Sequence, residues 1–155
     1  MNAFMGRATS YDALDERREA IEDYTKVIFL DPQRASAWNN RCWARAALGQ
    51  LESALDDCSR SLELRPNNPE TLDSRGLVYL KLGNSSAAIQ DYDTVLKLNS
   101  RMATSLYGRG LAKLKVGEKA AASRDMAAAE KLDPHIRELF SRLGVAVHTT
   151  DEHQN

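Results

Sequence analysis

The sequence has few of the residues that catalytic and metal-binding sites require. Its three histidines, His135, His148 and His153, all lie near the C-terminal end, and its two cysteines are Cys42 and Cys58. The histidines lie at or beyond the end of the repeats, so none is expected beside a Ser or Cys nucleophile in the repeat core. Two Cys without a nearby His cannot complete a tetrahedral metal site. The sequence also lacks a phosphate-binding loop motif. It predicts a protein without catalytic activity, cofactor or metal.

The sequence also lacks an excess of positive charge and any long apolar run. Lys and Arg number 21 against 22 Asp and Glu, so the net charge of −1 argues against nucleic acid or an anionic membrane as the partner. No run approaches the ~18 apolar residues of a membrane-spanning helix, and the N-terminus lacks the apolar stretch of a secretory signal. With 155 residues, 43% of them apolar, the chain is expected to fold as one domain or a short repeat array.

A 34-residue period relates four gap-free windows, which are residues 1–34, 35–68, 69–102 and 103–136. The twentieth position is Ala in every window, and the thirtieth is Leu. Gly occupies position 15 in three windows, and Pro occupies position 32 in three. Agreement in this many columns predicts a repeat architecture.

Each window has the pattern of two helices. In the third window, apolar residues recur at helical spacing up to Leu80, Gly83 and Asn84 interrupt them, and the pattern resumes from Ala88 to Leu98. Gly permits a left-handed helix end, and Pro stops the second helix because it has no N–H to donate. A hairpin this short cannot bury its apolar stripe alone, so successive hairpins are expected to stack.

These residues resemble those of tetratricopeptide repeat proteins. The opening of that motif, large–x–x–large–small–x–x–Tyr, is matched in the third window by Leu72, Arg75, Gly76 and Tyr79, although Arg replaces the usual Leu in all four windows. The sequence is also similar to tetratricopeptide repeat proteins common in alphaproteobacteria. The resemblance implies an all-α, right-handed superhelical solenoid of four helix-turn-helix hairpins plus a C-terminal capping helix.

The end of the chain continues the repeat register for a short distance. Phe140, Leu143 and Gly144 fall at positions four, seven and eight of a fifth window. We expect a capping helix at about residues 136–147, completing a single domain of residues 1–147. The polar residues 148–155 are expected to fray.

Two columns of opposite charge run through the repeats, with Arg at position 7 and Asp at position 23 of every window. In the family, position 23 lies beside the face that packs on the next repeat. We therefore predict inter-repeat ion pairs, which join Asp23 with Arg41, Asp57 with Arg75 and Asp91 with Arg109. Arg7 would then lack a preceding partner, and Asp125 would face Leu143. An alternative is an arginine stripe that captures acidic ligands.

Cys42 and Cys58 occupy positions 8 and 24 of one window, which in the family face each other inside the hairpin. Two states stay open for the pair, free thiols in the core or a disulfide. In either state we expect their Cα atoms within about 7 Å or little more. A disulfide implies an oxidising compartment. We expect a cytoplasmic protein if the chain is complete, and a periplasmic or secreted one if a signal was trimmed and Cys42 and Cys58 form a disulfide.

The resemblance also implies a concave groove lined by the first helix of each repeat, which suits a peptide or helix of a partner protein. The candidate groove residues are Met5, Asn39, Asn40, Trp43, Asp73, Ser74, Leu77, Leu80, Tyr107, Leu111 and Leu114. Within this set, Trp43, Leu77 and Tyr107 are expected to supply buried area. Asn39 and Asn40 are expected to hydrogen-bond the partner's backbone. The sequence thus predicts a non-catalytic protein-interaction module.

A chaperone C-terminal tail is not the expected partner. The positions that clamp such a tail's carboxylate carry no Lys or Arg, being Met5, Thr9, Asn40, Glu70 and Ser74 in one register and Asn39, Trp43, Ser74, Thr104 and Gly108 in the other. Two further functions are compatible with the sequence, a self-assembling scaffold element that forms homo-oligomers and a regulatory domain of a longer protein.

Overall fold

A computed structural model describes residues 3–7, 16–145 and 147 of the chain. All regular secondary structure in these ranges is helical, and no strand occurs in them. The helices are α1 (residues 3–7), α2 (Arg17–Leu30), α3 (Ala35–Ala47), α4 (Leu51–Leu64), α5 (Pro69–Leu82), α6 (Ser85–Leu98), α7 (Ala103–Lys115), α8 (Lys119–Leu132) and α9 (Ile136–Arg142). The predicted all-α class is confirmed.

The helices pack in the order in which they follow one another along the chain. Helix α3 packs on α4, α5 on α6 and α7 on α8, and each hairpin also contacts the first helix of the next. The first helices α3, α5 and α7 contact one another in succession, which places them along one face of the stack. This arrangement is the predicted helical solenoid. None of the described helices has the length and apolar character needed to cross a membrane.

Gly83 ends the first helix of the third repeat in a left-handed conformation. Gly83 follows α5 with a φ of 81°, a left-handed conformation that a Cβ disfavours. The amides of Gly83 and Asn84 donate to the carbonyls of Leu80 and Tyr79, which satisfies the last turn of the helix. The side chain of Asn84 then accepts from the amide of Ala87 and caps α6. The chain thus reverses between two antiparallel helices within a very short turn.

The antiparallel geometry overturns the predicted inter-repeat ion pairs. Each Asp at position 23 pairs with the Arg at position 7 of its own hairpin, in the pairs Arg7–Asp23, Arg41–Asp57, Arg75–Asp91 and Arg109–Asp125. The physical reason is that residues equally far before and after the turn lie level on two antiparallel helices. Arg41 and Asp57, for example, lie eight residues on either side of Gly49. The expectation that Arg7 and Asp125 have no such partner is therefore also wrong.

The pair in the second repeat is the most enclosed of the four. The guanidinium of Arg41 donates from Nε and Nη2 to both carboxylate oxygens of Asp57, at 2.9 and 2.7 Å, and Arg45 adds a third donor at 2.8 Å. The side chains of Arg41 and Asp57 are only 9% and 3% exposed. Such planar, two-point pairing of Arg with a carboxylate is geometrically specific. Because the carboxylate occupies this guanidinium, the alternative of an arginine stripe for acidic ligands is not supported.

Two of these arginines also reach the preceding repeat, at its position 25. Arg41 Nη1 donates to Thr25 Oγ1 of the preceding repeat at 2.9 Å. Arg109 Nη1 likewise donates to Asp93 Oδ1 at 2.8 Å. One guanidinium therefore holds its own hairpin together and reaches the hairpin before it.

The cysteines follow the same geometry. Cys42 on α3 and Cys58 on α4 are fully buried, and the structure joins them in a disulfide with a Cα–Cα distance of 5.4 Å. Their separation of 16 residues equals that of the ion pairs, because both kinds of pair join the two helices across the same turn. The disulfide and the Arg41–Asp57 pair thus connect the same two helices.

Helices α5 and α7 approach each other closely around one aromatic ring. Tyr92 on α6 is buried, and glycines face it from both first helices, Gly76 and Gly108. A Cβ on Gly76 would lie 2.7 Å from Tyr92 Cε1, and one on Gly108 would fall even closer to the end of the ring. Among the described residues the hydroxyl of Tyr92 has no hydrogen-bond partner. The two glycines therefore set the spacing of the third and fourth repeats.

We expect Gly108→Ala to destabilise the protein by about 1–3 kcal/mol, because the added methyl overpacks the site of the Tyr92 ring. Gly6→Ala is the matched control, since a Cβ there meets nothing within 4 Å and Ala favours a helix over Gly. Urea denaturation of both variants measures the difference. A loss of similar size in both would show that close packing on Tyr92 is not the cause.

Candidate binding groove

The predicted groove residues divide into two sets by exposure. Five of them are partly exposed, namely Met5, Asn39, Asn40, Trp43 and Leu114. Six are buried, namely Asp73, Ser74, Leu77, Leu80, Tyr107 and Leu111. The expectation that the apolar members of the third and fourth repeats face a partner in an open groove is therefore wrong for all of them except Leu114. The physical reason is that other parts of the chain cover them.

The main covering element is α9 with the turn that follows it. The ring of Phe140 lies 4.9 Å from that of Tyr107, measured between centroids. Leu143 and Val145 belong to the same buried apolar cluster as Leu77 and Leu80. The C-terminal segment thus packs onto the face made by the first helices.

The path of this segment depends on Gly144. In the register of a fifth repeat this residue would be a small helix-packing position, but its φ of 78° ends the helix instead. The amides of Gly144 and Val145 donate to the carbonyls of Ser141 and Phe140 at 3.0 and 2.9 Å. Helix α9 consequently ends at Arg142, earlier than the predicted cap of residues 136–147. The predicted frayed tail, residues 148–155, lies outside the described residues.

Lys81 anchors the turn. Its Nζ donates to the carbonyl of Leu143 at 2.7 Å and to that of Ala46 at 2.7 Å. Both carbonyls lie at helix C-terminal ends, where the helix dipole attracts a cation. Burial lowers the pKa of Lys81, and the charge of Arg17 adds to this effect. The ammonium group on α5 therefore ties the C-terminal segment to the end of α3.

The groove continues past this segment onto the earlier repeats. Trp43 on α3 packs at the edge of the buried cluster and stays partly exposed. Asn39 and Asn40 lie one turn before it on the same helix. Within the described residues, Asn39 Oδ1 is enclosed and has no hydrogen-bond partner. This end of the groove keeps an aromatic surface and part of the two amide side chains accessible.

Asp73, predicted to face a partner, instead links two first helices. Its carboxylate accepts from Ser105 Oγ at 2.5 Å and from Thr104 Oγ1 at 2.9 Å, and both hydroxyls belong to α7. Burial raises the pKa of Asp73 to about 6, and the two hydrogen bonds only partly oppose this shift. Ser74 donates to the carbonyl of Glu70 within α5. Neither residue therefore presents a free polar group to a partner.

The sequence reasoning missed Lys81, although a signal for it existed. Lys81 stands at position 13 of the third window, which is one of the groove positions of a first helix. It also missed an exposed apolar surface at the other end of the protein, where Phe29 is 85% and Leu30 56% exposed. With Phe4 these residues line a cavity of about 380 Å³.

Comparisons with known proteins agree with this architecture. Protein-family models described as Tetratricopeptide repeat match residues 35–68 and residues 74–134, which together are more than half of the chain. No curated protein sequence matches the chain significantly.

Several solved structures are similar. A thermophilic tetratricopeptide repeat protein of Thermus thermophilus superposes with a TM-score of 0.80 at 18% identity, over 92% of this chain and 82% of that one. MamA of Desulfovibrio magneticus RS-1 gives a TM-score of 0.72 at 20% identity, over 91% and 84%. The second tetratricopeptide repeat domain of human RPAP3, solved in complex with an HSP70 peptide, superposes with a TM-score of 0.65 at 26% identity. The match covers 71% of this chain and 92% of that one.

Proposed function

The chain belongs to the tetratricopeptide repeat family, and from this premise we propose that it is a protein-interaction module whose concave groove binds a peptide or helix of a partner protein. One observation carries the proposal. The groove already holds a peptide segment, the chain's own residues after α8, through apolar side chains and a hydrogen bond from Lys81 to a backbone carbonyl. A surface that binds one segment in this way has the chemistry to bind another.

The accessible part of the groove supplies the first contact with the partner. Trp43 offers a large, rigid aromatic surface, a residue type that often carries much of the binding energy of an interface. Asn40 carries an amide that both donates and accepts, whereas Asn39 can offer only its amide hydrogens because its Oδ1 is enclosed. These groups suit an extended or helical backbone. Binding begins around these three residues on α3.

A chaperone tail is not the proposed partner, although the similar RPAP3 domain was solved with an HSP70 peptide. The clamp positions of this chain carry no Lys or Arg, and one of them is the acidic residue Glu70. Lys81 lies at a different position, and its ammonium group already donates to two helix ends. The groove therefore favours an uncharged backbone and apolar side chains over a terminal carboxylate.

Trp43→Ala tests the proposal. We expect this change to weaken the binding of a captured partner by about 2 kcal/mol, which is roughly a thirtyfold increase in Kd, because an aromatic anchor is lost. The matched control is Phe29→Ala, which also removes an aromatic ring but from a surface outside the groove. The partner is isolated by affinity capture with the parent chain, and its Kd for each variant is then measured by titration.

The result separates the groove from other surfaces. If Phe29→Ala weakens the partner and Trp43→Ala does not, the apolar surface around Phe29 and Leu30 is the binding site, and the groove proposal fails. If the chain captures only itself and light scattering rises with its concentration, the self-assembling scaffold replaces the partner-binding function. A partner found on the same polypeptide would identify a regulatory domain of a longer protein.

A further inference from the structure

The C-terminal segment places apolar side chains on the groove at helical spacing. Ile136, Phe140 and Leu143 follow one another at i, i+4 and i+7, and their exposed fractions are 0%, 1% and 1%. This is the spacing with which an amphipathic helix lays its apolar side into a groove. On the outer side of the same helix, Arg137 and Glu138 are exposed. The occupant of the groove is therefore a short amphipathic helix.

The groove also fixes the direction in which that helix lies. The C-terminal turn of α9 meets Lys81, whose Nζ donates to Leu143 O, 62 residues later in the chain. The same ammonium donates to Ala46 O, so the end of the bound helix and the end of α3 share one cation. A helix lying in the opposite direction would present amide hydrogens to this ammonium, which repels them.

We propose that α9 and its turn are a built-in competitor for a partner's amphipathic helix, which carries apolar residues at i, i+4 and i+7 and ends at Lys81. This inference rests on the proposed function and adds to it the class of ligand and a means of regulation. A partner first contacts the open end of the groove at Trp43. It then reaches Leu77, Leu80 and Tyr107 by displacing residues 136–147.

The segment is built to be displaced as a unit. Helix α9 has only 7 residues, and an isolated helix shorter than about 12 residues is marginal in water. Its order therefore comes from the groove and from the turn at Gly144. Because it is joined to α8 by a short connection after Leu132, it stays near the groove after release and competes at a high effective concentration.

The test uses a fluorescent peptide with the sequence of residues 134–147, added to the full chain. We expect the parent chain to bind this peptide weakly, since its own segment occupies the groove. Gly144→Val is expected to strengthen binding by at least about tenfold, because Val disfavours the left-handed turn and releases the competitor. Gly117→Val is the matched control, since Gly117 has a φ of 89° at the end of α7 and no Cβ contact within 4 Å.

The double variant Lys81→Met and Gly144→Val checks the position of the bound helix. It should bind the peptide more weakly than Gly144→Val alone, because the donor to the carbonyl of Leu143 is lost. Circular dichroism confirms that each variant retains its helices. The proposal is overturned if Gly144→Val gains no affinity for the peptide, if Gly117→Val gains as much, or if the parent binds as tightly as Gly144→Val. In those cases α9 is a permanent cap. A partner whose Kd still depends on Trp43 would then leave the proposed function standing, so the two failures are distinguishable.

Discussion

Asp57→Asn is expected to lower the free energy of unfolding by about 3–5 kcal/mol, the cost of leaving a buried charge without its partner. Asp57 accepts hydrogen bonds from Arg41 and Arg45, and the side chain of Arg41 is only 9% exposed. An amide in place of the carboxylate removes the compensating negative charge. Because the side chain of Arg41 is almost fully enclosed, water does not replace the lost carboxylate, and the decrease in unfolding free energy is large.

The first repeat supplies the matched control for this prediction. Asp23 occupies the same position in its hairpin, but the side chain of its partner Arg7 is 50% exposed. Asp23→Asn is therefore expected to cost about 1 kcal/mol or less, as for other solvent-exposed pairs. Urea denaturation of both variants gives the two values. Equal losses would show that enclosure of the guanidinium does not set the strength of these pairs.

Asp73→Asn is expected to stabilise the protein at neutral pH. The pKa of Asp73 is raised to about 6 in the folded protein from an ordinary value of 3.8, so the folded state holds the proton more tightly than the unfolded state. Stability contributed by this group is present below pH ~4 and is lost as the pH rises to ~6, amounting to about 3 kcal/mol above that range. Asparagine cannot ionise and avoids the loss.

The measurement is the difference in unfolding free energy between Asp73→Asn and the parent, followed from about pH 3.5 to about pH 8. We expect the difference to grow across the window from ~4 to ~6 and then to stay constant. Ser105→Ala is a useful second variant, since it removes a hydrogen bond that lowers the pKa of Asp73. It should move the upper end of the window to higher pH. A difference independent of pH would contradict the assignment to Asp73.

The period predicted the helices because each local signal agreed with it. Gly83 and Asn84, for example, both end one helix and start the next, and neither role depends on distant residues. The ion pairs were predicted between the wrong repeats for a related reason. A column of Arg and a column of Asp with the same period can pair within a hairpin or with the next one, and the period alone does not distinguish the two.

Whether the groove is open or covered was less predictable from the sequence. Whether Leu77 and Leu80 face solvent depends on where the chain goes after Arg142, and the pattern of residues 145–155 does not specify that path. A glycine at position 144 can serve either as a small packing residue inside a helix or as a left-handed residue at the end of one, and Gly144 has the second conformation. The local sequence does not choose between them. The packing of Leu143 and Val145 on distant helices does.

The hydrogen bond from Lys81 to Leu143 changes how the array is expected to unfold. In a simple stack each unit contacts its neighbours alone, so the ends fray first and disorder spreads inward. Here the turn after α9 is hydrogen-bonded to Lys81 on α5 and, through the same ammonium, is connected to the end of α3. Release of that terminal turn therefore breaks its bond to α5 in one step, while the bond from Lys81 to Ala46 still joins α5 to α3. The terminal segment is expected to open as one unit instead of fraying gradually, and the middle repeats are expected to melt after it.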